Sequence, residues 1–250
     1  MPHFKTSDGL NLHYTDQGAG LPILCLAGLT RSGRDFEFVA PHLHDVRLIT
    51  LDYRGRGASD WADDFTTYAV PRETQDAIEL LDDLGLEKVA ILGTSRGGLN
   101  AMYMAATAKD RLLGVALNDV GPKLEQAGLD IISDYLGRRP AAKTHAEAAE
   151  ARARTATGFA NVPPSRWLEE ARILYQEHPD GLHLTYDPKL RDAVIDGFKN
   201  AGDVDAWPLF NALNGLPTAL IHGVWLKKVL LYTTNSISMV TFHLLTLSMM

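Results

Sequence analysis

This chain of 250 residues has a single cysteine and no strong stripe of basic residues. Cys25 cannot form an internal disulfide, and its apolar neighbours predict a small buried side chain. The 24 Lys and Arg against 31 Asp and Glu give a net charge of −7, which argues against nucleic acid as a partner. The first residues lack the basic and apolar regions of a secretory signal, so a cytoplasmic location is expected.

The end of the chain lacks residue types that are common elsewhere in it. Residues 224–250 contain no Gly, Pro, Ala, Arg or Gln, and no Asp or Glu follows Asp205. At the density of carboxylates in the rest of the chain, about four are expected in a stretch of this length. We infer that the reading frame, or a splice or assembly junction, departs from the ancestral gene near Gly223. Translation of the other two frames beyond codon 223 tests this.

The same stretch has two structural interpretations. Residues 229–250 carry no charged side chain and are long enough to span a bilayer. Seven Ser and Thr residues between 233 and 248 dilute the apolar character that spanning helices show. A disordered or loosely docked terminus is therefore preferred over a membrane anchor.

The first half of the chain alternates between two hydrophobic patterns. Alternating or continuous apolar runs predict strands at 10–16, 22–28, 46–53, 88–93 and 112–119. Helical periods lie between them at 70–84 and 96–108. Strands that alternate with helices indicate a parallel sheet with right-handed crossovers.

The strand pattern stops between about residues 121 and 205. Segments rich in helix formers or with helical spacing lie at 141–156, 163–177 and 190–201. A last apolar strand is predicted at 216–223. The middle of the chain is therefore interpreted as a helical insertion in an α/β protein.

Residues 91–100, ILGTSRGGLN, place Ser95 between a predicted strand and a predicted helix. Glycines before and after it allow a tight turn and close helix packing. G-x-S-x-G in this setting is typical of a nucleophile elbow, with a structural turn as the alternative. A serine nucleophile also needs a base and a group that orients the base.

Two glycine-rich turns follow other strands. The turn AGLTRSGRDF, 27–36, can offer the backbone N–H of Gly28 or Leu29 to a developing oxyanion, and the N–H of Arg96 is the natural second donor. The loop LDYRGRGASD, 51–60, is interpreted as structural, with Asp52 and Arg54 fixing it.

These motifs together resemble the α/β-hydrolase superfamily, in the form with a serine nucleophile and a helical cap. The resemblance rests on PILCLAGLTRSGRDF, LDYRGRGASD, LLDDLGLEKVAILGTSRGG and LPTALIHG, in the expected order, and covers roughly residues 3–223. It implies a mostly parallel, doubly wound sheet. It also implies that the cap follows the sixth strand and that nucleophile, acid and histidine follow one another along the chain.

The resemblance divides the chain into four parts. Residues 1–120 form the first part of the core, 121–205 the cap, 206–223 the penultimate strand of the core, and 224–250 an atypical tail. The strand and helix that normally end this fold are expected to be missing or replaced.

The implied acid and histidine are not found after the strand at 216–223. Asp119 lies where some members carry the acid, with a loop carboxylate that caps its own turn as the alternative. For the base, His243 is the only histidine beyond the last recognisable strand. His222 ends that strand and is interpreted as structural. Both histidines are weak candidates.

Three functions remain open for this scaffold. The first is a hydrolase of an ester, lactone or similar small acyl substrate, with Ser95 as nucleophile and the Leu29 and Arg96 amides holding the oxyanion. The second is a truncated relative that is inert or only binds ligand. The third is a carbon-carbon bond hydrolase or haloperoxidase.

The resemblance also bears on what the chain binds. It implies a small-molecule substrate and no metal or organic cofactor. Gly28 and Arg96 are expected to contact the substrate. The Arg96 side chain either attracts an anion or lies in the cap interface. The oligomeric state is left open.

Overall fold

The computed structural model describes residues 1–122, 132–156, 159, 161–201, 205–221, 229–233 and 236–240. Eleven strands are found in these ranges: β1 His3–Lys5, β2 Asn11–Gly18, β3 Leu21–Leu26, β4 Val46–Leu51, β5 Val89–Thr94, β6 Leu112–Asn118, β7 Tyr175–His178, β8 Gly181–Leu184, β9 Thr218–Ile221, β10 Val229–Thr233 and β11 Ser236–Val240. Six α-helices accompany them: α1 Val70–Asp83, α2 Arg96–Thr107, α3 His145–Thr155, α4 Pro164–Leu174, α5 Leu190–Ala201 and α6 Trp207–Asn211.

Nine of the strands form one sheet in the order β1-β2-β4-β3-β5-β6-β9-β10-β11. Its five central strands, β4, β3, β5, β6 and β9, are parallel to one another. The two strands on each side of them pair antiparallel. In β3, Leu24, Cys25 and Leu26 are all buried. A continuous apolar run is what a strand covered on both faces requires, so the mostly parallel α/β fold predicted from such runs is confirmed. Burial also raises the pKa of the Cys25 thiol to about 12.

Helices α1 and α2 cover one side of this sheet and contribute to the main core cluster. Ala77 and Leu81 of α1, four residues apart on one face of this helix, are fully buried, as the helical period predicted at 70–84 requires. Pro71 lies in the first turn of α1, where its missing N–H costs no hydrogen bond. The small residues of α2 let this helix lie close to the sheet, which positions the turn before it.

The insertion contains the three predicted helices, α3, α4 and α5. The expectation that strands stop in this region was wrong, because β7 and β8 form an antiparallel hairpin after α4. Their turn consists of Pro179 and Asp180, and Gly181 follows with a φ of +122°. Two strands of four residues with mixed polarity give too short a pattern to stand out in the sequence.

The insertion, called the cap below, is joined to the core by main-chain hydrogen bonds near residue 186. Gly57 N–H donates to Thr185 O at 2.9 Å, and Asp187 N–H donates to Gly55 O at 2.8 Å. The Tyr68 hydroxyl donates to the Asp187 carboxylate at 2.7 Å. These contacts attach one side of the cap to the loop after β4.

The described part of the tail is a β-hairpin. β10 pairs antiparallel with β9 and with β11, so the sheet gains two strands. These strands stand where the resemblance implies a further strand and a helix, so the expectation that this end of the fold is missing or replaced is confirmed. The paired strands differ from the disordered or loosely docked terminus that we preferred. In the ranges described by the structure, no helix combines the length and the apolar character that crossing a membrane requires.

Candidate active site

Ser95 lies at the sharp turn between β5 and α2, with φ of 49° and ψ of −108°. This region of backbone conformation is strained for a residue with a side chain. The Ser95 N–H donates to Asn118 O of β6 at 2.8 Å, which holds the turn at the carboxyl edge of the sheet. The serine hydroxyl does not cap α2. The backbone geometry is therefore that of a nucleophile elbow.

Two glycines make the turn sterically feasible. A Cβ at Gly93 would lie 2.6 Å from Gly97 O, and a Cβ at Gly97 would collide with Leu26 O of β3. Any side chain at these positions would push α2 away from the sheet. The prediction that these glycines allow a tight turn and close helix packing is confirmed.

A cavity of about 190 Å³ opens beside Ser95. Its wall combines the loop 28–39, Thr94 and Ser95 from the core with Ile132, Tyr135 and Arg166 from the cap. This volume suits a small substrate.

The two predicted oxyanion segments lie beside this cavity. Gly28 and Leu29 line it, and Arg96 directly follows Ser95. Among the described residues, neither the Leu29 N–H nor the Arg96 N–H has a hydrogen-bond acceptor. The Leu29 amide is thus available to an oxygen atom in the cavity, and the Arg96 amide lies one residue after Ser95, which lines it.

The fully buried carboxylate of Glu73 connects the two oxyanion segments, the one at Leu29 and the one at Arg96. It accepts from Arg96 Nε at 2.7 Å and pairs with Arg56 Nη1 at 2.8 Å. Arg56 Nε in turn donates to Leu29 O at 2.9 Å. Burial alone would raise the pKa of Glu73, but the charges and hydrogen bonds of Arg56 and Arg96 outweigh it and lower this pKa to about 2. Glu73, which the sequence reading did not single out, therefore stays ionised.

The Arg96 side chain does not line the cavity. Besides Glu73, its guanidinium donates to Tyr68 O at 3.1 Å. The guanidinium is thus engaged by groups of the core, and substrate contact through this side chain stays a prediction.

The candidate acid lies among the described residues, whereas the two candidate histidines do not. Asp119 follows β6 at the same edge of the sheet as Ser95, has a φ of +53°, and donates its N–H to Ile221 O at 2.8 Å. It is exposed and does not line the cavity. His222 and His243 lie outside the described residues, and no histidine within the described ranges lines the cavity.

The Asp52 loop has the structural role predicted for it. Asp52 accepts from the N–H groups of Gly33 at 2.7 Å and Ala58 at 2.9 Å, and pairs with His13 at 3.1 Å. Arg54 is fully buried against Asp76. In the part of the chain that the structure describes, no three of His, Cys, Asp and Glu cluster as metal ligands do.

Charged residues at the cavity were missed from the sequence. Arg31 holds Asp35 through two hydrogen bonds of 2.6 and 2.7 Å, and both line the cavity. Arg166 of α4 lines the cavity as well. Arg31 and Asp35 lie in the quoted AGLTRSGRDF turn, which gave a signal for them. Nothing in the local pattern shows that a helix of the cap meets the loop after β3, so Arg166 had none.

Comparisons with known proteins agree with this geometry. A family model described as the α/β hydrolase fold matches residues 22–157, more than half of the chain. A 3-hydroxybutyrate-oligomer hydrolase of Cupriavidus necator is 37% identical over 210 residues, which are 80% of this chain and 71% of that protein. Lipase LipV of Mycobacterium tuberculosis is 31% identical over 158 residues, and the chain spans 58% of its length.

Solved structures show the same relationship. The crystal structure of an α/β hydrolase from Novosphingobium aromaticivorans superposes with a TM-score of 0.80 at 35% identity, covering 88% of this chain and 79% of that one. The matched family model and this similarity in sequence and structure lead to one assignment. The chain belongs to the α/β-hydrolase fold family.

Proposed function

We propose that this chain is a serine hydrolase that acts on a small ester, with Ser95 as its nucleophile. The observation that carries the proposal is the strained turn at Ser95 beside a cavity of about 190 Å³. A hydrolase relative that acts on 3-hydroxybutyrate oligomers supports an ester of a short acid as the substrate. The small volume of the cavity also supports a short substrate.

In this proposal the Ser95 hydroxyl attacks the ester carbonyl and loses its proton to a base. The N–H groups of Leu29 and Arg96 stabilise the oxyanion that forms, and the alcohol leaves as the carbonyl is restored. Water then releases the acid from the serine. Gly28 contacts the substrate through its backbone. Asp119 stays the candidate acid and His243 the candidate base.

A second candidate is ligand binding without turnover. It is favoured by the lack of any Asp or Glu after Asp205 and by a cavity wall without histidine within the described ranges. Without acid and base, oxyanion donors and binding leave only weak residual catalysis.

A fluorophosphonate probe decides between these candidates. An activated Ser95 is expected to be labelled in the intact chain, and Ser95→Ala is expected to abolish labelling because the reacting oxygen is gone. Ser165→Ala, at an exposed serine on α4, is the matched control and is expected to leave labelling unchanged. A folded chain that takes up no label contradicts the hydrolase proposal and supports ligand binding.

A further inference from the structure

We propose that the cavity beside Ser95 takes a substrate with a free carboxylate, which the Arg166 guanidinium recognises. The proposal rests on the proposed function, because it names the substrate class of the same cavity. The molecule would be a short ester that ends in a carboxylate, with its scissile carbonyl at Ser95 and its anionic end at the wall formed by α4.

The first support is a guanidinium nitrogen that lacks an acceptor. Arg166 Nη1 is buried, and no residue within the described ranges accepts a hydrogen bond from it. The carboxylate oxygen paired with it lies 3.8 Å away, on the exposed side chain of Glu169. A buried charged donor is costly without an acceptor. Since Arg166 lines the cavity, a bound anion can supply one.

The second support is the balance of charge around that wall. Asp35 is held by Arg31, and the buried Glu170 pairs with Arg152 at 2.7 Å and with Arg31 at 3.5 Å. These two carboxylates are thus engaged by Arg31 and Arg152, and the ion-pair partner of Arg166 is the exposed Glu169 at 3.8 Å. Burial lowers the pKa of Arg166, and the negative charges of Glu170, Glu169 and Asp35 oppose that effect. A ligand carboxylate would add a close negative charge beside this guanidinium.

The third support is the planar shape of the Arg166 guanidinium. The planar guanidinium presents paired donors along its edge that match the two oxygens of a carboxylate. The guanidinium carbon lies over the ring of Phe38, which also lines the cavity. A carboxylate on a short chain fits this position and the small volume.

The test compares two ligands of equal shape, succinamate and its neutral diamide succinamide. Their dissociation constants are measured by titration calorimetry with the intact chain and with the variants Arg166→Met and Arg172→Met. We expect the unmodified chain to bind succinamate at least about tenfold more tightly than succinamide. Arg166→Met is expected to reduce this preference to about twofold or less. Arg172→Met, at an exposed arginine on the same helix, is expected to keep it.

Each outcome decides the proposal. No preference in the unmodified chain, or a preference that survives in Arg166→Met, overturns it. If Arg166→Met does not fold, Arg166→Gln, which removes the charge but keeps a polar side chain, decides instead: a reduced preference supports the proposal, and an unchanged one overturns it. Both readouts are equilibrium binding, so they do not depend on turnover. A carboxylate preference without labelling of Ser95 would support the carboxylate site and contradict the hydrolase proposal. Labelling of Ser95 without a carboxylate preference would support the hydrolase proposal and contradict the carboxylate site.

Discussion

Replacing Glu73 by Gln is expected to lower the free energy of unfolding by about 3 to 5 kcal/mol. Glu73 is fully buried and is the carboxylate partner of Arg56 and Arg96. The amide keeps the shape of the side chain but leaves two guanidinium charges in the core without their counter-charge. That loss exceeds the effect of most single substitutions.

Urea denaturation at pH 7 measures this loss. Asp83→Asn, at an exposed carboxylate near the end of the same helix, is the matched control and should change stability by no more than about 0.5 kcal/mol. A loss below about 1 kcal/mol in Glu73→Gln would show that the core tolerates both arginines without this partner.

The same carboxylate makes stability depend on pH. The pKa of Glu73 is lowered from 4.5 to about 2 in the folded chain, so its contribution is complete above pH 4.5 and declines as the pH falls towards 2. About 2 kcal/mol of this contribution is expected to be lost by pH 3. The stability difference between the unmodified chain and Glu73→Gln should therefore shrink between pH 5 and pH 3. A difference that stays constant over this range would assign the pKa shift to another group.

Replacing Gly97 by Ala is the second substitution with a large expected effect. The added Cβ collides with Leu26 O and comes within 2.8 Å of Leu26 Cβ. Because both atoms belong to the buried strand β3, the start of α2 must shift. We expect a loss of about 3 kcal/mol in unfolding free energy, since an overpacked core seldom relaxes fully. We also expect reduced labelling of Ser95, because the turn moves with α2.

Gly121→Ala is the control for this substitution. A Cβ at Gly121 meets no atom of the described residues within 4 Å, so stability and labelling should stay unchanged. Thermal unfolding and fluorophosphonate labelling give the two readouts. If Gly97→Ala folds as stably as the unmodified chain, close contact between α2 and β3 is not what fixes the elbow.

The parts of the fold that local patterns encode were predictable. Continuous apolar runs predicted the central strands, and the glycines around Ser95 predicted the elbow, because both depend on neighbours in the sequence. Glu73 and Arg166 were not predictable in this way. Each lies in the first turns of an ordinary amphipathic helix, and only tertiary packing makes one fully buried and places the other at the cavity.

The cap is attached unevenly to the core, which has a consequence for ligand exchange. Main-chain hydrogen bonds of 2.8 and 2.9 Å hold it near residue 186. On the side of α4, contacts come from the side chains of Arg31 and Arg34, at 3.5 Å to Glu170 and 3.3 Å to Arg172 O. We expect the cavity to open at α4, about the attached side. Since α4 carries Arg166, which we propose as the partner of the substrate carboxylate, the same movement would withdraw this guanidinium from a bound acid product. Release would then need no separate step to break that contact.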